Sequence, residues 1–94
     1  MQRARSRKLF NKTKKMIPGG VNSPVRSFSA VSSSPFIVKK SKGSHIVDID
    51  DNRYIDFIGS WGAMILGHSD SRILSKLSKV SKDGLTYGAP NAAE

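Results

Sequence analysis

Between residues 19 and 26 the chain gathers Gly19, Gly20, Asn22, Ser23, Pro24 and Arg26, a mixture suited to holding a carboxylate. Proline stiffens the backbone, and Asn and Ser offer hydrogen-bonding groups. The guanidinium of Arg26 is a planar fork that matches two carboxylate oxygens. The competing reading gives Arg26 an acid of its own chain as partner. Trp61, the only tryptophan, sits among glycines and could be a core anchor or the wall of a ligand pocket.

Other constellations are weaker. Asp48, Asp50 and Asn52 alternate as in a calcium loop, but the position that needs Gly is Arg53 and the one that needs a bidentate Glu is Gly59. A hairpin turn is the better reading. His45 and His68 have no second ligand at metal-binding spacing, so His45 reads as a strand surface residue, while His68 could line a site or, the commoner case, bond a backbone carbonyl. There is no dinucleotide fingerprint and no phosphate-binding loop, and Gly19-Gly20 alone is a weak signal. Asn11-Lys12-Thr13 matches a glycosylation sequon on a predicted helix, where it reads as chance. With zero Cys there is no disulfide, thiol nucleophile or iron–sulfur site.

The elements that must position these residues follow from periodicity. Leu9, Phe10, Thr13, Met16 and Ile17 fall at helical spacing, which predicts a helix over 6–17 capped by Ser6 and ended by Pro18-Gly19-Gly20. Residues 21–35, with Pro24 and Pro35 and many hydroxyl groups, read as an extended loop. Three β runs follow: Phe36 to Val38, Ile46 to Ile49 and Tyr54 to Ile58, with turns at Lys42-Gly43 and Asp50-Asp51-Asn52. A three-stranded antiparallel meander is the simplest arrangement. Ser69 or Asp70 can cap a second helix carrying Ile73, Leu74, Leu77 and Val80 on one face, with Gly84 past its end. Asn91 to Glu94 has the pattern of a helix start, which hints at a truncated chain beside the plainer reading of a polar terminus.

Ninety-four residues exclude a multidomain enzyme and bury only a thin core, so weak folding in isolation is expected. The net charge of +9 suggests nucleic acid at first sight, yet the first sixteen residues hold +7 of it. A basic arm from Arg3 to Lys15 that binds nucleic acid is therefore the alternative function, although Phe10 is its only aromatic residue. No stretch approaches the roughly 18 apolar residues of a membrane span. The acid-free start lacks the apolar core of a secretory signal, which favours the cytoplasm and leaves a plastid address open.

Three blocks go further: IPGGVNSPVRSF at 17–28, DIDDNRYIDFIGSWGAMILGH at 48–68 and GLTYGAP at 84–90. In order and spacing they resemble the N-terminal part of the glutamate-1-semialdehyde aminomutase family, a branch of the class III aminotransferases. The resemblance covers nearly the whole chain from about Ser6. It implies an α+β fold: an N-terminal helix, a three-stranded antiparallel meander and a connecting helix, as in the N-terminal segment of a fold-type I pyridoxal phosphate enzyme. Residues 1–94 would then be a single partial domain, an N-terminal fragment of a homodimer that converts glutamate-1-semialdehyde to 5-aminolevulinate for tetrapyrroles.

By the same resemblance Arg26 binds the substrate carboxylate, Ser23 hydrogen-bonds nearby and Trp61 walls the pocket. The family's cofactor lysine, its pyridine-pairing aspartate and its phosphate loop lie downstream of the region matched. No lysine here takes that role, and neither cofactor binding nor catalysis is expected of this chain alone. Asp51 stands where the family usually has Gly, Ala63 where Pro is common, and Ser69-Asp70-Ser71 and Ser32-Ser33-Ser34 also depart from it. The turn at Asp51 is accordingly expected to be less well formed.

Overall fold

The computed structural model describes residues 1–92. Helix α1 spans Ala4–Thr13, strands β1 (Val38–Lys42), β2 (His45–Asp48) and β3 (Arg53–Ile55) follow, and helix α2 spans Ser71–Val80. The strands form one antiparallel sheet in the order β1-β2-β3, with a register shift between Val38 and Lys40. The α+β class, the helix, the meander and the second helix all appear as expected.

Boundaries differ for physical reasons. Helix α1 begins earlier than 6 and stops at Thr13, whose hydroxyl donates to the carbonyls of Phe10 and Gly20 at 2.9 and 3.0 Å. This ties the helix end to the Pro18–Gly20 turn. Ser6 is no cap: it lies inside the helix and is fully buried. The Arg5 and Ser6 N–H groups that a cap would satisfy instead donate to the Asp50 carboxylate at 2.7 and 2.8 Å. Residues 21–35 are not merely extended, since short 3-10 turns occupy Pro24–Ser27 and Ser29–Val31.

Phe36 and Ile37 precede β1. Phe36 stacks on Tyr54 with ring centroids 4.8 Å apart and meets Phe28 edge-on at 5.6 Å. Phe57 and Ile58, read as strand, lie outside β3 and are exposed. The cause is Asp56, whose Oδ1 accepts the N–H groups of Ile58 and Gly59 at 2.9 and 3.1 Å and turns the chain off the sheet. The turn at Asp51 is closed despite its left-handed φ of 66°. Its N–H donates to the Asp48 carbonyl, and its carboxylate pairs with Lys39 at 2.8 Å and Arg5 at 3.2 Å.

Helix α2 starts where Asp70, the second of the two candidate caps, accepts the Arg72 N–H at 2.9 Å. The Arg72 guanidinium closes on the same carboxylate at 3.1 and 2.8 Å, and chiefly by that bond lowers the Asp70 pKa to about 2. The apolar side of α2, Ile73, Leu74, Leu77 and Val80, is exposed. Among the described residues Phe10 is the one buried large hydrophobe. The radius of gyration is 16.3 Å, above the ~12 Å of a compact domain this size. The helix start predicted at Asn91–Glu94 depends on residues 93 and 94, which lie outside the described residues.

Candidate functional site

Arg26 lies in the Pro24–Ser27 turn, which Pro24 opens with its preset φ and which the Arg26 N–H closes on the Ser23 carbonyl at 3.0 Å. Its Nη1 donates to the Asn22 Oδ1 at 3.0 Å, and among the described residues it pairs with no acid. A neutral amide thus aims the guanidinium without neutralising it, and the exposed fork keeps donors for an anion. Ser23 is half-buried at the head of the same turn.

Trp61 stands on a different turn. Gly59, Ser60, Trp61 and Gly62 have φ values of 54°, 54°, 61° and 90°, a left-handed run that costs Ser60 and Trp61 about 1–2 kcal/mol each. The indole is 72% exposed, so Trp61 anchors no core among the described residues. The structure joins Ser23 and Arg26 on one turn. It shows no hydrogen bond or ring contact between them and Trp61 among the described residues.

One pair escaped the reading of the sequence. His68 bonds a carboxylate through its side chain, not a backbone carbonyl: its Nε2 lies 2.6 Å from the Asp56 Oδ2, with both side chains largely buried. The His68 bond, with the Ile58 and Gly59 N–H groups, holds the Asp56 carboxyl below its ordinary range. An ionised carboxylate only accepts, so His68 Nε2 carries the proton. The local signal was an Asp inside the Tyr54–Ile58 run, three positions before Gly59. Its partner twelve residues away left no trace in the pattern.

The acidic turn is a hydrogen-bond hub. Asp48, fully buried, accepts from the Asp50 and Asn52 N–H groups, the Asn52 amide and the Tyr54 hydroxyl at 2.8–2.9 Å. Burial opposes its ionisation, but these bonds outweigh burial and hold the carboxyl below its ordinary range. With its oxygens so occupied, the turn reading stands. No group of three or more metal-ligating side chains exists among the described residues.

Part of the basic arm is engaged internally. Arg3 lies 5.7 Å from the Phe36 ring and donates to the Ser34 carbonyl, Arg5 pairs with Asp51, and Lys14 sits 4.6 Å over Phe10. Nothing in this arrangement favours nucleic acid. Pyridoxal phosphate is not matched either. Every lysine among the described residues is exposed, and Lys39, beside Asp51, forms a surface ion pair. The cofactor needs a sheltered lysine, a carboxylate at its ring nitrogen and a phosphate cradle, so these residues do not fit it. No helix among them is long and apolar enough to cross a membrane.

Comparison with known proteins adds to this geometry. The model of the class-III aminotransferase family matches residues 28–92. Glutamate-1-semialdehyde 2,1-aminomutase of Acetivibrio thermocellus is 54% identical over 94 residues, which covers 100% of this chain and 22% of that relative. The enzyme of that name from a Polaromonas species is 52% identical over 91 residues, 97% of this chain and 21% of its own length. A solved transaminase with pyridoxal phosphate bound superposes with a TM-score of 0.81 at 26% identity over 98% of this chain and 21% of that one. The chain thus spans about a fifth of the length of the curated relatives it matches. The Ser23–Arg26 turn precedes the span of the family model but lies inside the matches to both aminomutases.

Proposed function

Because the chain belongs to the class-III aminotransferase family, we propose that it supplies the carboxylate-binding side of a glutamate-1-semialdehyde 2,1-aminomutase site. One observation carries the reading: the Arg26 fork is exposed, aimed by Asn22 and paired with no described acid, in a chain that over its own 94 residues is 54% identical to part of an aminomutase. In this reading residues 1–94 are part of one domain of a cytoplasmic homodimer in tetrapyrrole synthesis.

Arg26 grips the carboxylate of glutamate-1-semialdehyde with two parallel N–H bonds, and Asn22 fixes the plane of the fork so that little rotamer freedom is lost on binding. The Ser23 hydroxyl adds a bond beside it, and the exposed Trp61 indole closes an apolar wall along the substrate chain. The exchange of amines that yields 5-aminolevulinate is the chemistry of pyridoxal phosphate, held by residues outside this stretch. What these residues contribute is binding and orientation.

The test is a graft. Residues 1–94 replace the corresponding fifth of the Acetivibrio thermocellus enzyme, and formation of 5-aminolevulinate is assayed with Arg26 intact and with Arg26→Ala. Activity in the first and its loss in the second is expected. An active graft indifferent to Arg26→Ala sinks the assignment.

A further inference from the structure

The segment from Asp56 to His68 leaves and rejoins the sheet at one place. The Asp56 N–H donates to the Ser44 carbonyl at 2.8 Å, and His68 and Gly43 exchange both backbone hydrogen bonds at 2.8 Å. Both ends are therefore tied to the tip of the β1–β2 hairpin. Such close approach needs glycine at position 67, where φ is 78° and a Cβ would meet the Gly43 carbonyl oxygen at 3.0 Å. The side chains close the same gap, with His68 Nε2 at 2.6 Å from Asp56 Oδ2 and the pair only 15% and 11% exposed. A surface loop whose ends meet is held by its own contacts and often serves a function.

Inside the loop the bonds run in series. The second Asp56 oxygen holds the Gly59 N–H, and the Gly59 carbonyl accepts the N–H groups of Gly62 and Met64 at 3.1 and 3.0 Å. Between them lie Ser60 and Trp61 in the left-handed region. A strained conformation persists only where its surroundings over-determine it, and Asp56 is the anchor next to this one.

We propose that Asp56 and His68 are positioning residues for Trp61, a clasp that closes the 56–68 loop and holds the left-handed turn from which the indole projects. The consequence for substrate rests on the pocket reading of Trp61, whereas the clasp itself does not.

Amide hydrogen exchange on the nitrogen-15-labelled chain tests it, together with the fluorescence anisotropy of the only tryptophan. In His68→Leu, exchange at Ile58, Gly59 and Gly62 should quicken about tenfold and the anisotropy should fall, with the Asp48 and Ile49 amides unchanged. His68→Gln, which restores an N–H donor, should recover both signals. Unchanged exchange at the three amides, or acceleration shared equally by Asp48 and Ile49, overturns the proposal. In the graft enzyme His68→Leu should raise KM more than it lowers kcat, again with rescue by His68→Gln. A graft in which Trp61→Ala raises KM and His68→Leu does not would also overturn the clasp. If Trp61→Ala leaves KM alone, the pocket reading fails and the exchange result still decides the clasp.

Discussion

Asp50 and Ser6 are 44 positions apart in sequence and 2.6 Å apart in space, the Ser6 hydroxyl donating to the Asp50 Oδ2. The same carboxylate accepts the N–H groups of Arg5 and Ser6, so a turn between strands caps the first helix. Ser6 Oγ in turn accepts the Ile37 N–H at 3.3 Å, and the Asp50 N–H donates to the buried Asp48 at 2.9 Å. Helix start, strand approach and hairpin turn therefore meet in one polar hub. In a chain whose described residues bury one large hydrophobe, that hub is a principal source of tertiary order.

Removing the distant cap should show it. Asp50→Ala leaves the Arg5 and Ser6 N–H groups without their acceptor and is expected to lower Tm by about 5 °C, with loss of helical circular dichroism. Asp50→Asn, which keeps one acceptor oxygen, should lose less. Equal Tm values for the wild-type chain and Asp50→Ala would refute the hub.

Acid should dissolve the same contacts. The carboxyls of Asp48, Asp50, Asp51, Asp56 and Asp70 all lie below their ordinary range when folded, Asp70 at about 2. A depressed folded pKa means stability fully present above the unfolded value of about 4 and lost as pH falls through the folded one. Tm should therefore fall steadily from about pH 4 towards pH 2. Salt separates the causes: the Asp51 shift comes first from its bond and charge partner Lys39, on the surface, and should shrink in 0.5 M salt (roughly a 4 Å screening length). The Asp48 shift, set by hydrogen bonds against burial, should not. Carbon-13 titration of the two carboxyls reads both, and a salt-sensitive Asp48 would contradict the assignment.

The features legible in the sequence were those carried by neighbours along the chain. Helix α2 was readable because Ile73, Leu74, Leu77 and Val80 keep the helical period and Asp70 caps locally. The meander was readable from its turns. Ser6 misled because a cap-type residue at a helix start is a local pattern, which Asp50 overrides from across the fold. Phe57 and Ile58 mislead because β propensity carries no sign of the backbone turn that the Asp56 side chain imposes. Arg26 and Ser23 are candidates on residue type and family resemblance. Asn22, the partner of Arg26, fits that picture, but the left-handed backbone at Trp61 could not be foreseen, since no propensity places tryptophan there.

Gly20 tests the small apolar contact under α1. A Cβ there would lie 2.8 Å from the Phe10 ring and 2.9 Å from the Lys14 side chain, at a φ of 75° that disfavours any side chain. Both effects act in the folded state, so Gly20→Ala should destabilise by about 2 kcal/mol in urea unfolding. Gly19→Ala shares the positive φ but has open space and should cost less. Equal costs at the two positions would mean that backbone strain, not contact with Phe10, sets the sensitivity of this turn.

On the proposed reading, Arg26→Lys tests whether the fork or merely its charge would hold the carboxylate. Lysine keeps the cation but loses the planar pair of N–H donors that Asn22 orients in Arg26. A charge-assisted hydrogen bond contributes about 1.5–3 kcal/mol, so in the graft enzyme Arg26→Lys should raise KM for glutamate-1-semialdehyde roughly 10- to 100-fold. Asn22→Ala, which frees the guanidinium without removing it, should give a smaller rise of the same kind. A KM unmoved by Arg26→Lys would show that bidentate geometry plays no part in holding the carboxylate.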